Sequence, residues 1–229
     1  MTVTPPIAMR SMFVTGTDTG VGKTVASAAL VHRLRREGLR VAGMKPVASG
    51  CERTPEGLQN EDALALQAAS DPRPAYADVN PFALEIPTAP QLAARAQGVR
   101  VSVDVLCAAH ARLRTQADVV VVEGAGGWLA PMDDGLDQGD FARRIDARVV
   151  LVVGLRLGCL SHARLSARAI RDDGFELAGW IGNAVDRDFA ERDAYLELLR
   201  NALPAPCLGV LPHAPGADPV TLAERLVVP

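Results

Sequence analysis

Phe13-Val14-Thr15-Gly16-Thr17-Asp18-Thr19-Gly20-Val21-Gly22-Lys23-Thr24 is the stretch on which the fold turns. A short apolar run, Met12–Thr15, leads into a glycine-rich turn. Beyond the turn, Ser27, Leu30, Val31 and Leu34 recur at i, i+3, i+4 and i+7. That spacing predicts one face of a helix from about Lys23 to Glu37, closed by Gly38. A strand, a glycine turn ending in Gly-Lys-Thr and then a helix is the context of a phosphate-binding loop. Here Gly16 and Gly22 stand one residue further apart than in the usual G-x-x-x-x-G-K-[ST] pattern. The chemistry suits the residue types. Gly20 and Gly22 allow backbone to approach an anion and to take unusual φ angles. Free N–H groups and the dipole of the helix start favour phosphate. Lys23 can reach β- and γ-oxygens, and Thr24 can offer a hydroxyl to Mg²⁺.

Five further apolar runs follow: Leu39–Met44, Asp118–Val122, Arg148–Val153, Leu177–Gly182 and Cys207–Leu211. Val119–Val122 and Val149–Val153 are apolar without alternation, as in parallel strands covered on both faces. Helical patterns separate the runs. One carries Leu106, Ala109 and Leu113 behind Ser102 as N-cap, and another carries Leu196 and Leu199 behind an Asp188/Glu191 capping box. The expectation is an α/β fold: a three-layer, doubly wound, mostly parallel sheet of the P-loop NTPase type. Residues 50–100 read as an irregular, proline-rich excursion over the site, with helical pieces at Asp62–Ala69 and Ala89–Gln97. No linker divides the chain, so residues 1–229 are expected to form a single domain.

In such sheets ligands bind beyond the carboxyl ends of the strands, which directs attention to the residues just there. Lys45 leaves the second run and is either a stabiliser of a transferring phosphoryl group or a surface lysine. Glu123 ends the third run, where an acid resembles a Walker B carboxylate. Burying an unpaired carboxylate is costly, which favours a metal or substrate role. Asp62 heads a helix and is either a helix-start acid or a metal ligand. The turn from Gly154 to Ser161 is a second anion site or simply a helix start.

Composition narrows the classes. With a formal charge of −3, the 229-residue chain shows no basic footprint for nucleic acid and no polybasic membrane patch. Its first ten residues do not read as a signal peptide, and no run reaches the roughly 18 apolar residues of a membrane span. Cys51, Cys107, Cys159 and Cys207 lie far apart, as reduced thiols of a cytoplasmic protein do. His32, His110, His162 and His213 lack zinc-site spacing.

Taken in order, five blocks resemble the dethiobiotin synthetase family: the phosphate loop, Lys45-Pro46-Val47-Ala48-Ser49-Gly50, Asp62-Ala63-Leu64-Ala65-Leu66, Glu123-Gly124-Ala125-Gly126-Gly127-Trp128, and Val152-Val153-Gly154 through Leu157-Gly158-Cys159. Gly179-Trp180-Ile181-Gly182-Asn183 and Pro204-Ala205-Pro206 extend the resemblance over nearly the whole chain, and the family's phosphate loop has the same extra residue. The resemblance implies ATP-dependent ring closure. CO₂ adds to an amine of 7,8-diaminopelargonic acid, ATP phosphorylates the carbamate, and the neighbouring amine closes the ureido ring. By position it implies Lys45 and Lys23 as catalytic. Gly20, Val21, Gly22, Lys23, Thr24, Val25, Asp62, Glu123, Gly124, Ala125, Gly126, Asn183, Ala184, Pro212, His213 and Ala214 would contact the nucleotide. Thr19, Lys45, Ser49, Gly158, Cys159 and Leu160 would contact substrate. Thr24, Asp62 and Glu123 would hold Mg²⁺. It also implies a homodimer in which the helix start at Gly158–Leu160 receives the substrate carboxylate across the interface. Gly20 stands where many members carry an acid, Ser161 where Asn is common, and Ala184 where Asp is frequent.

The rival reading is a dimeric switch ATPase acting on a protein partner. That class has a signature lysine five residues before Lys23, where this chain has Asp18. An amidotransferase of the cobyrinic acid diamide synthetase type would need a glutaminase domain for which no sequence remains.

Overall fold

The computed structural model describes residues 10–228. The stretch Met1–Met9, which holds most of the segment read as lacking a signal peptide, lies outside the described residues. The phosphate-loop stretch forms β1 (Ser11–Gly16) and α1 (Lys23–Arg36), and β2 (Val41–Met44) follows. Next come β3 (Val47–Ser49), β4 (Glu52–Thr54), β5 (Gly57–Gln59), α2 (Glu61–Ala69), α3 (Tyr76–Val79), β6 (Phe82–Leu84) and α4 (Pro90–Gln97). The second half alternates strictly: α5 (Val103–Gln116), β7 (Val119–Gly127), α6 (Gln138–Arg144), β8 (Arg148–Gly154), α7 (Cys159–Asp172), β9 (Leu177–Asn183), α8 (Arg192–Ala202), β10 (Cys207–Leu211) and α9 (Pro219–Leu222).

All six expected strands enter one six-stranded sheet in the order β10-β9-β8-β1-β7-β2, and every pairing is parallel. The apolar runs do not alternate because both faces are covered. Val149, Leu151 and Val153 join the core beneath α5, α6, α7 and α8, while Val150 and Val152 face the core beneath α1 and α9. Ser27, Leu30, Val31 and Leu34 are all buried on α1, as their spacing required. From β1 the chain winds toward β2, and from β8 it winds toward β9. The crevice between β1 and β8 is therefore the switch point at which such sheets bind ligands.

Two expectations need correction. Asp188 and Glu191 make no capping box. Asp188 instead donates its backbone N–H to Asp186 Oδ1 at 3.0 Å in a short turn, and α8 starts only at Arg192. The capping box belongs to α6, between Asp137 and Asp140. The excursion over residues 50–100 is also more ordered than its composition suggested. It carries β6, which pairs in parallel with the preceding β3, an antiparallel hairpin of β4 and β5, and three helices. No helix among the described residues is long and apolar enough to cross a membrane.

His110, on α5, is buried, with Nε2 3.1 Å from Ser11 Oγ on β1. Burial, helped by Arg114, depresses its pKa to about 4. Below about pH 6.5 the unfolded chain takes up a proton that the folded chain refuses, so stability falls with pH by about 1.4 kcal/mol per unit until about pH 4. Urea unfolding should show the wild type losing roughly 2 kcal/mol between pH 7 and 5 that His110→Gln does not lose. Equal pH dependence of the two proteins would remove His110 from acid sensitivity.

Candidate active site

The phosphate loop is anchored to β8 and β9, on one side of β1. Thr17 N donates to Val152 O at 3.0 Å, and Asn183, at the end of β9, donates its amide to Val21 O at 2.9 Å. The Val21 side chain wedges between Gly16 and Gly154, so only its backbone faces the loop interior. Gly22 caps α1 in the left-handed region, φ 84°. Lys23 is buried and donates to Asp18 O at 3.0 Å. Burial, and then the charge of Lys45, lower its pKa to about 8. The Asp18 carboxylate accepts from Thr19 N at 2.7 Å and from Arg156 at 2.8 Å, which clips the loop to the turn before α7.

Lys45 is the centre of the site. Its ammonium lies 2.5 Å from Glu123 Oε1 and 2.9 Å from Asp62 Oδ2. Thr24 Oγ1 meets the same two acids, 2.7 Å from Asp62 Oδ1 and 3.0 Å from Glu123 Oε1, with one proton to share between them. Thus residues from α1, β7, α2 and the end of β2 converge. Asp62 sits in the first turn of α2 and meets both Lys45 and Thr24. Lys45 is 5% exposed and Glu123 1%, so the surface-lysine reading fails. Burial pulls the Lys45 ammonium down, but Glu123 and Asp62 outweigh it and hold the group charged. Burial likewise pushes Asp62 up, and Lys45 more than reverses that. Full burial raises Glu123 against the pull of Lys45.

The excursion holds Lys45 in place with residues that pattern reading missed. Asn80 is buried and donates to Lys45 O at 2.7 Å, while Lys45 N donates to Val79 O. Tyr76 accepts from Asn60 N at 2.8 Å and donates to Asn80 at 3.1 Å. Asn60 caps α2 by accepting from Asp62 N and Ala63 N. An Asn directly before Glu61-Asp62 was a readable cap signal; nothing local marked Asn80 or Tyr76.

Glu123 Oε2 is buried and has no hydrogen-bond partner. Two carboxylates and a hydroxyl, with one carboxylate oxygen uncommitted, suit a hard cation that takes its remaining ligands from water and phosphate. The residues present therefore fit Mg²⁺. No group of three or more His, Cys, Asp or Glu side chains gathers for a metal among the described residues.

The other expected contacts sit around this centre. Ser49 ends β3, and its buried Oγ lacks a partner. Thr19, Gly20 and Val25 lie exposed or partly exposed along the loop and α1. Gly124, Ala125 and Gly126 continue from Glu123 within β7. Ala184 and the exposed Pro212-His213-Ala214 segment are joined by His213 Nδ1, 3.1 Å from Ala184 O. Gly158, Cys159 and Leu160 start α7, and among the described residues no hydrogen bond or ion pair joins that turn to Lys45.

A charged lysine clamped between two acids at the mouth of a phosphate loop, on a doubly wound parallel sheet, defines a P-loop enzyme that uses ATP. Residues 10–221 match the family model described as an AAA domain. The chain is 54% identical over 219 residues to the ATP-dependent dethiobiotin synthetase of Xanthomonas euvesicatoria pv. vesicatoria, covering 96% of this chain and 98% of that one. It is 55% identical over 221 residues to that of Xylella fastidiosa strain 9a5c, with the same coverage. The chain belongs to the ATP-dependent dethiobiotin synthetase family. Among solved structures, the MinC:MinD cell division complex of Aquifex aeolicus matches with TM-score 0.56 at 16% identity, over 94% of this chain and 86% of that one. The signal recognition particle receptor FtsY of Elizabethkingia anophelis, in complex with GDP, matches with TM-score 0.53 at 17% identity, over 95% and 60%. At that identity the likeness is one of fold.

Proposed function

We propose that the chain catalyses ATP-dependent formation of dethiobiotin from 7,8-diaminopelargonic acid and CO₂. The observation that carries this reading is the convergence of Thr24, Lys45, Asp62 and Glu123 beside the phosphate loop, in a chain more than half identical to dethiobiotin synthetases along its whole matched length. An amine of the substrate adds to CO₂ and loses a proton to give a carbamate. A carbamate oxygen attacks the γ-phosphorus of ATP, the bond to the β-phosphate oxygen breaks, and ADP departs. The second amine attacks the carbamoyl carbon and loses a proton, phosphate leaves, and the ring is closed.

Each residue has a task in that sequence. The loop N–H groups and Lys23 cradle the phosphates. Lys45 sits where charge builds on the carbamate and the transferring phosphoryl group, and its positive charge stabilises both. Thr24, Asp62 and Glu123 would hold Mg²⁺, which supplies charge neutralisation to the phosphate oxygens when bound. Burial keeps water away from Lys45 and Glu123, which strengthens their electrostatics. Ser49 and Thr19 face substrate, Val25 and residues 124–126 line the nucleotide, and Asn183, Ala184 and Pro212–Ala214 border the base. We read residues 1–229 as one domain in a cytoplasmic homodimer. Exposed Leu157, in the turn before α7, and Leu165, on α7, support that assembly by giving this region apolar surface to cover.

The test is to incubate the protein with Mg-ATP, bicarbonate and 7,8-diaminopelargonate, following phosphate release and product mass together. Diamine-dependent phosphate release with a product of dethiobiotin mass is expected. Hydrolysis indifferent to the diamine would overturn the reading.

A further inference from the structure

The register between β1 and β7 breaks at the site. Val14 pairs with Glu123 and Gly16 with Gly127, so two steps along β1 face four along β7. The surplus residues form a bulge directly after the acid that meets Lys45. Bulges next to active sites re-aim the groups they carry, and they leave ladder carbonyls without partners. Here one side chain receives those carbonyls. Gln138, the first residue of α6, is 0% exposed. Its Nε2 donates to Ala125 O at 2.9 Å and to Gly127 O at 2.5 Å, with Trp128 O at 3.5 Å and Ala130 O at 3.4 Å at the fringe. Four carbonyls around one nitrogen settle the amide's orientation.

The other end of the amide is unusual. Gln138 Oε1 is buried and has no partner. It faces Gly124, where a Cβ would come within 2.1 Å of it. Leaving such an acceptor unpaired is costly, and an apolar side chain would avoid that cost. What the amide supplies is the donor to the bulge. The bulge in turn lies on the phosphate loop. Gly127 packs against the carbonyls of Gly16 and Thr17, and a Cβ on Gly126 would stand 3.6 Å from Thr19 Oγ1. A continuous chain of contacts therefore runs from Gln138 through residues 124–127 to Glu123 on one side and the phosphate loop on the other.

We propose that Gln138 is a positioning residue for the reaction: its amide holds the Gly124–Gly127 bulge in the shape that aims Glu123 and the adjoining backbone at the nucleotide. The inference rests on the reading of Glu123 as part of the nucleotide site. Gln138→Glu keeps the shape and, in its ionised form at high pH, removes the donor; Gln138→Leu removes both polar ends; Gln138→Asn keeps an amide one methylene short. Steady-state kinetics on folded protein, well below each variant's Tm, should show kcat lowered about tenfold or more in Gln138→Glu and Gln138→Leu, the scale of losing a group that orients a ligand-bearing one. KM for the diamine should move much less, and Gln138→Asn should recover part of kcat. A role confined to stability would lower Tm and leave kcat per folded molecule unchanged. That result, or wild-type kcat in Gln138→Glu, overturns the proposal. If Gln138→Leu does not fold, the comparison of Gln138→Glu with Gln138→Asn decides it. Glu123→Gln is measured alongside. Wild-type turnover there would sink the reading of Glu123 itself, whereas an inactive Glu123→Gln beside a fully active Gln138→Glu would sink only the role of Gln138.

Discussion

Lys45→Ala is expected to lower turnover at least about a hundredfold while ATP binding stays largely intact, the scale of removing one preorganised group from developing negative charge. The ammonium is buried and kept charged by two acids, so it needs no reorganisation when charge appears on the carbamate and phosphoryl group. Lys23 and the loop N–H groups remain to bind ATP, so kcat should fall with little change in KM for ATP, the pattern of an interaction made in the transition state. The substitution also leaves Glu123 buried beside Asp62 without its counter-charge. Breaking a buried pair in that way costs about 3–5 kcal/mol, the lower end being apt because Asp62 is about one-third exposed. Thermal unfolding of the variant must therefore accompany the kinetics, and the rates must be taken well below its Tm. Near-normal turnover would remove Lys45 from the mechanism.

Gly22→Ala should weaken nucleotide binding far more than Gly20→Ala does. Both glycines have positive φ, 84° and 72°, and an L-residue there costs about 1–2 kcal/mol. Their surroundings differ. A Cβ on Gly22 would sit 2.0 Å from Asn183 Nδ2, whereas one on Gly20 meets nothing within 4 Å. To admit the methyl, Asn183 must give up Val21 O or the loop must move off the strand ends. Either change spoils the N–H cradle at the start of α1. Calorimetric titration with Mg-ATP should find Gly22→Ala weaker on the order of a hundredfold or more, about 2.7 kcal/mol, and Gly20→Ala within about tenfold. Wild-type affinity in Gly22→Ala would mean that this turn is not the phosphate cradle. The same contrast bears on the missing acid at position 20: the space beside Gly20 is open, so its absence leaves the loop's geometry intact.

Much of this was legible in the chain because it is local. The phosphate loop, the amphipathic face of α1 and the continuous apolar runs of β7 and β8 are written in residues a few positions apart. Hydrophobic periodicity reports such spacing directly. The strand-end rule then singled out Lys45 and Glu123 before any contact was known. The capping box was misplaced to Asp188 and Glu191 because the same residue types also favour turns, and a short turn won there. Residues 50–100 looked irregular because strands of three residues are too short to show a period.

By itself, then, the sequence determined the order of the six sheet strands, the parallel sheet and the place where phosphates bind. Which groups meet was decided by the tertiary structure alone. Lys45 pairs with acids 17 and 78 positions away, Asn183 reaches Val21 across 162, and Gln138 holds carbonyls of a bulge that exists only because β1 and β7 fall out of register. The physical reason is that charge pairing and hydrogen bonding act over a few ångströms of space, whatever the separation along the chain. Only the closed sheet, with its excursion folded over the strand ends, brings these partners within that range.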